Sequence, residues 1–80
     1  MTVPLLTFEL TKQHDQIEVH ADSEGLAILI KILERVLKTG QHEHLSTPGW
    51  GGSELSEDKQ GLNNNLIEHV KVILWKEAGP

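Results

Sequence analysis

The amino-acid sequence predicts an α+β domain of ββαββ order: a four-stranded sheet with one helix packed on one face and the other face open. Three observations carry this expectation. Apolar residues alternate with polar ones near the N-terminus, helical spacing takes over between an acidic cap and a glycine, and alternation returns near the C-terminus. No repeat or linker divides the pattern, so residues 1–80 are expected to form a single small domain. Its ordered core is expected over about 4–76, interrupted by a long loop at 48–65.

The first strand is expected from Leu5 to Thr11. Leu6, Phe8 and Leu10 share one side and Leu5, Thr7, Glu9 and Thr11 the other. A polar turn over 12–16 leads into Ile17, Val19 and Ala21, which alternate with Gln16, Glu18 and His20 and complete a hairpin. Asp22 or Ser23 can accept from the free N–H groups of a helix start, and Lys38 and Gly40 supply a basic last turn and a stop. At about 100° per residue, Leu26, Leu29, Ile30, Leu33, Val36 and Leu37 form one continuous face, which Ile28 and Ile32 widen to about 200°. One sheet face does not need so wide a stripe. The surplus is expected to be covered by the loop around Trp50 or by the partner in a homodimer.

His42 to Thr47 is expected as a third strand with Leu45 inward and His42, His44 and Ser46 outward. Pro48, four glycines and three consecutive asparagines make 48–65 a long connection, of a length that is usually functional or disordered. Leu66 to Trp75 is expected as the fourth strand. There Leu66, Glu68, Val70, Val72 and Leu74 lie on one face and Ile67, His69, Lys71, Ile73 and Trp75 on the other. Glu77 to Pro80 is expected to be a frayed tail.

Composition narrows the function. Twelve acids against seven bases give a net charge of −5, and the acids cluster. Glu43, Glu54, Glu57 and Asp58 follow one another between Lys38 and Lys59 with no lysine or arginine among them. Binding to a phosphate backbone needs cations to displace counterions, so nucleic acid is not an expected partner. An acidic surface instead favours rapid encounter with a basic protein. The absence of cysteine removes disulfides and thiolate metal sites and fits a cytoplasmic setting. No basic segment precedes Thr2-Val3-Pro4-Leu5-Leu6, and the longest apolar run, Leu26–Ile30, is far short of the ~20 residues needed to cross a bilayer. Neither a secretory signal nor a membrane partner is expected.

Two constellations deserve weighing. Strand parity puts His20, His42, His44 and His69 on the side opposite the apolar set, so four of the five histidines share one polar sheet face with Glu9, Glu18 and Lys71. Zinc would need three or four such donors converging at about 2.0–2.2 Å. His42, His44 and a third group from His20 or His69 therefore stand as an alternative reading, a small metal-binding domain, beside that of an ordinary solvated strand face. A histidine near a carboxylate also has the right groups for acid–base chemistry. The chain, however, has no recognisable nucleophile setting and no phosphate loop, and neither an enzyme nor a cofactor is expected. The second constellation is Trp50 between glycines, followed by Glu54, Glu57 and Asp58. Tryptophan is enriched among the residues that dominate protein interfaces, and a flexible loop beside acids suits recognition. The competing use of Trp50 is to cover the Ile28–Ile32 side of the helix.

Three stretches resemble a known family: His20-Ala21-Asp22-Ser23-Glu24-Gly25-Leu26, the run from His42 to Glu57 with its Trp50-Gly51-Gly52 centre, and Leu66-Ile67-Glu68-His69-Val70-Lys71-Val72. In order and character they are similar to the small bacterial immunity proteins of family thirty-two. The resemblance covers nearly the whole chain. It implies a cytoplasmic antidote from a polymorphic toxin system, which binds a cognate toxin and blocks it. On that reading Trp50, Glu54, Glu57 and Asp58 form the central contact, and His42, His44 and His69 extend it.

Overall fold

The computed structural model describes residues 3–75. The elements run β1 (Leu6–Leu10), β2 (Ile17–Ala21), α1 (Ser23–Thr39), β3 (Glu43–Ser46), a 3₁₀ turn (Pro48–Trp50), β4 (Asn65–Ile67) and β5 (His69–Val72). The α+β class holds. The single four-stranded sheet does not: β2-β1-β4 form one antiparallel sheet and β3-β5 a second. The tail expected at 77–80 lies outside the described residues, as does residue 76.

The expected last strand is broken at Glu68. Its backbone carbonyl accepts from Thr47 N at 3.0 Å and its carboxylate from Thr47 Oγ1 at 3.1 Å. Residues 65–67 pair with β1, and residues 69–72 pair with β3. Regular pairing ends at Val72, so Ile73, Leu74 and Trp75 lie beyond the strand. The alternation from Leu66 to Trp75 thus spans two strands and three residues beyond them.

Helix α1 starts where the sequence places its cap: Asp22 accepts from Gly25 N at 2.7 Å. It ends at Gly40, whose φ of 74° is the left-handed geometry glycine adopts without strain. The buried side of the helix differs from the expected one. Gly25, Ile32 and Val36 are buried and Ile28 and Leu29 partly so, whereas Leu26, Ile30, Leu33 and Leu37 face out. A stripe about 200° wide leaves its inward half undetermined until the surrounding elements are placed.

One core joins both sheets. Leu6 of β1, Ile32 of α1, Leu45 of β3 and Leu55 of the long loop are buried together. Phe8, Ala21, Ile28, Leu29, Val70 and Val72 pack around them. Leu55 is the unexpected member, and the backbone explains its burial. Leu55 N donates to Ser46 O, and Ser56 N donates to Leu6 O, so these two residues bridge the end of β3 and the start of β1. Ser56 Oγ also accepts from Leu6 N and donates to Pro4 O. The 48–65 loop is therefore a pinned strap that closes the gap between the sheets. Replacing Leu55 with Ala leaves a cavity at that junction and is expected to cost about 3 kcal/mol, read as a lowered urea midpoint with little change in slope.

The remainder of the strap covers the face of β1 expected to be open. Thr7 and Glu9 are fully buried there. The Glu9 carboxylate accepts from Thr7 Oγ1 (2.6 Å), Gln60 N (2.9 Å), Gly61 N (2.9 Å) and Asn64 Nδ2 (3.0 Å). Burial alone would raise the pKa of this acid. The four donors prevail and hold it at about 2.

Candidate functional site

The second sheet carries the side chains that reach outward together. β3 and β5 pair in antiparallel register, with His44 opposite Lys71, Leu45 opposite Val70 and Ser46 opposite His69. His44 Nδ1 and His69 Nε2 lie 3.0 Å apart, and His69 Nδ1 lies 2.7 Å from Ser46 Oγ. The His42 ring meets His44 edge-on at 5.0 Å, and the Trp50 indole stacks on His69 at 5.3 Å with 23° between the planes. The result is a continuous row of rings, His42–His44–His69–Trp50. Trp50 closes one end, 62% exposed.

The loop carrying Trp50 is rigidly built. Thr47 is fully buried, and its carbonyl accepts from both Trp50 N and Gly52 N. Gly51, at φ 81°, turns the chain immediately after the ring. Glu57 Oε2 accepts from Gly49 N at 2.8 Å, and Glu54 Oε1 accepts from Ser46 N at 3.1 Å. Desolvation would raise the Glu54 pKa, but the backbone N–H groups of Ser46, Glu54 and Ser53 lower it below the usual carboxylate value. Two of the three acids near Trp50 therefore use one oxygen to fix the loop. The indole stays largely exposed. Its stacking partner is His69 of β5, nineteen positions further along the sequence.

The acids also share a space. An open groove of about 520 Å³ runs between Val3–Leu5, Ile28 of α1 and the strap from Gly52 to Gln60. Glu54, Glu57 and Asp58 all line it, and so does Pro48 at the base of the Trp50 turn. No cation faces these three carboxylates across any salt bridge among the described residues. Through Pro48 the groove adjoins the turn that carries Trp50.

The histidines divide. His42, His44 and His69 are brought together as strand parity indicated, but His20 belongs to the other sheet. There its Nε2 lies 2.9 Å from Glu18 Oε1, which also accepts from Asn64 Nδ2. The polar face expected to hold four histidines is thus two surfaces, because the chain crosses between sheets at Glu68. Among the described residues, Glu9, Glu18 and His20 are the group of three histidine or acidic donors whose ligand atoms lie within 4.8 Å of one another. Both Glu9 oxygens and Glu18 Oε1 accept hydrogen bonds from the strap residues Gln60, Gly61 and Asn64. In the ring row only the His44 and His69 nitrogens converge, two donors where a zinc site needs three or four.

The two ring nitrogens at the 3.0 Å contact cannot both carry protons. Desolvation, His42, His69 and Lys71 lower the pKa of His44, in that order, against an opposing effect of Glu43. The neutral ring can then share one proton with His69. Arg35 grips Glu43 with Nε–Oε2 and Nη2–Oε1 distances of 2.7 and 2.9 Å, tying α1 to the strand that carries the rings. Ser46 is the contributor not evident from the sequence. It shares the outward parity of His44 but is buried, where it grips His69.

The family model described as Immunity protein 32 matches residues 16–70. The chain belongs to that family. No curated protein and no solved structure gives a significant match. The Immunity protein 32 match runs from the start of β2 into β5 and so contains α1, β3, the Trp50 turn and the whole strap. Every residue of the ring row and all three groove acids fall within it. No helix among the described residues is long and apolar enough to cross a membrane.

Proposed function

We propose that this immunity-family protein protects its cell by binding a cognate bacterial toxin and occluding it, with Trp50 at the centre of the contact. Glu54, Glu57 and Asp58 flank the indole, and His42, His44 and His69 extend the surface along β3 and β5. The protein acts in the cytoplasm, as part of a polymorphic toxin system, and its inhibition is steric, with no catalysis or cofactor. The observation that carries this reading is the stacked, exposed indole on a loop fixed by Thr47, Gly51 and Glu57. Such a ring loses little freedom on binding, so its burial goes into affinity. The acidic groove supplies what the ring lacks: a field that draws a basic partner and a slot for its lysine or arginine.

Alanine substitutions with co-expressed toxin test this. Trp50→Ala is expected to weaken binding by about 2 kcal/mol or more, roughly 30-fold, and to abolish protection when expression is matched. Asp58→Ala, at a carboxylate that accepts no hydrogen bond among the described residues, is expected to slow association and to do so less at high salt. Glu54→Ala and Glu57→Ala should do the same and also loosen the loop. Full protection by a Trp50→Ala protein with an unchanged circular dichroism spectrum would remove the proposed site.

A further inference from the structure

α1 and β2 also carry an apolar surface that the described residues leave exposed. α1 packs over the first sheet, and Arg35 on one flank reaches β3. At about 100° per residue, Leu26, Ile30, Leu33 and Leu37 fall on the other flank, the one on the β2 side. Their spacing of four, three and four residues is that of a helix-pairing seam, and they are 46–72% exposed. On the same side, β2 is the outer strand of its sheet, its edge unpaired among the described residues. Ile17 and Val19 pair with Leu10 and Phe8 of β1, which puts them on the helix-bearing face, and both are about half exposed. Ile17–Ala21 contains no proline, lysine or arginine, the residues that commonly guard an edge.

We propose that this face binds a second copy of the chain, by antiparallel pairing of β2 with the partner's β2 about a two-fold axis at Val19. The register follows from charge. With Val19 opposite the partner's Val19, each Glu18 faces the partner's His20, whereas centring on Glu18 would oppose two carboxylates. The pairing joins two three-stranded sheets into one of six strands. It also lays the two helices side by side and antiparallel on the same face, with their leucine and isoleucine seams together and their dipoles opposed. A two-fold contact is self-complementary and closes, so assembly stops at the dimer. The ring row and the acidic groove stay free in both copies.

The absence of cysteine makes the geometry directly readable. Val19→Cys is expected to oxidise rapidly to a symmetric disulfide dimer, because directly opposed residues of antiparallel strands lie within bridging distance. Val3→Cys, at a more exposed position away from the edge, is expected to stay largely monomeric under the same oxidant. Sedimentation of the unmodified protein from micromolar to sub-millimolar concentration is expected to show a monomer–dimer equilibrium. Val19→Lys and Leu33→Lys are each expected to weaken it roughly tenfold or more, with the circular dichroism unchanged. A monomer throughout that range overturns the proposal, and so does a dimer indifferent to both lysines. Occupation of the seam by the toxin, seen as protection lost in Leu33→Lys while the free protein is monomeric, overturns it as well.

Discussion

Gly25→Ala is expected to lower the stability of this domain by about 3 kcal/mol or more, against the ordinary sign for that exchange in a helix. Alanine within a helix usually gains up to about 1 kcal/mol over glycine. Gly25, however, sits in the first turn of α1, buried, with the carbonyl group of Leu5 directly over its Cα. A methyl group there would fall 2.6 Å from the Leu5 carbonyl carbon and closer still to its oxygen. That oxygen cannot simply move away, because it accepts from Asp22 N at 3.1 Å, and Asp22 caps the helix through Gly25 N. The three residues interlock the entry to β1 with the start of α1. The methyl must push that entry aside, an overpacking cost that exceeds the propensity gain. A domain of this size loses roughly 4–8 °C in Tm for each kcal/mol, so thermal unfolding reads the change directly. Asp22→Ala provides the scale: it removes the cap alone and is expected to cost about 1 kcal/mol. A Gly25→Ala midpoint at or above that of the unmodified protein would contradict the interlock.

How far the sequence reached depended on whether a signal was local. The hairpin from Leu6 to Ala21, the Asp22 and Gly40 caps and the strand around Leu45 are written in spacings of a few residues, and all are present. The gathering of His42, His44 and His69 with Trp50 was half legible. Parity indicated the face, but the 5.3 Å stack joins residues nineteen positions apart, through a turn whose shape depends on Thr47 and Gly51. The break at Glu68 stayed hidden because Leu66, Glu68 and Val70 keep perfect alternation across it. One acid in an otherwise apolar row was the available signal. The four-histidine face failed with that break, since it required a single sheet. Glu9 was placed on an open face by the same parity rule, which reports the side of a strand and not what covers it. The cover, residues 60–64, comes from more than fifty positions away.

That covered acid sets the second large effect, and its direction with pH follows from its surroundings. Glu9→Gln exchanges one carboxylate oxygen for an amide that can only donate, in a site where four donors already point inward. At least one pair of donors must then face each other without water. The expected cost near neutral pH is about 3 kcal/mol. In the folded protein the Glu9 pKa lies at about 2, against an ordinary value of 4.5 when the chain is unfolded. Between those values the unfolded state binds more protons, so Glu9 stabilises the fold fully above pH 4.5 and progressively less as the pH falls toward 2. Urea midpoints measured across that window should fall steeply for the unmodified protein and less steeply, by up to one proton, for Glu9→Gln. Glu18, Glu43 and Glu54 also titrate below their ordinary value, so some slope remains. Amide exchange locates the change: protection at Gln60 and Gly61 should drop in the variant, while Leu55 and Ser56, held by Ser46 and Leu6, keep theirs. The Trp50 turn is held by Thr47 and Glu57, none of whose hydrogen bonds involves Glu9. Under conditions where Glu9→Gln remains folded, its toxin binding should match that of the unmodified protein. Equal pH slopes in the two proteins would show that the carboxylate is not held as described.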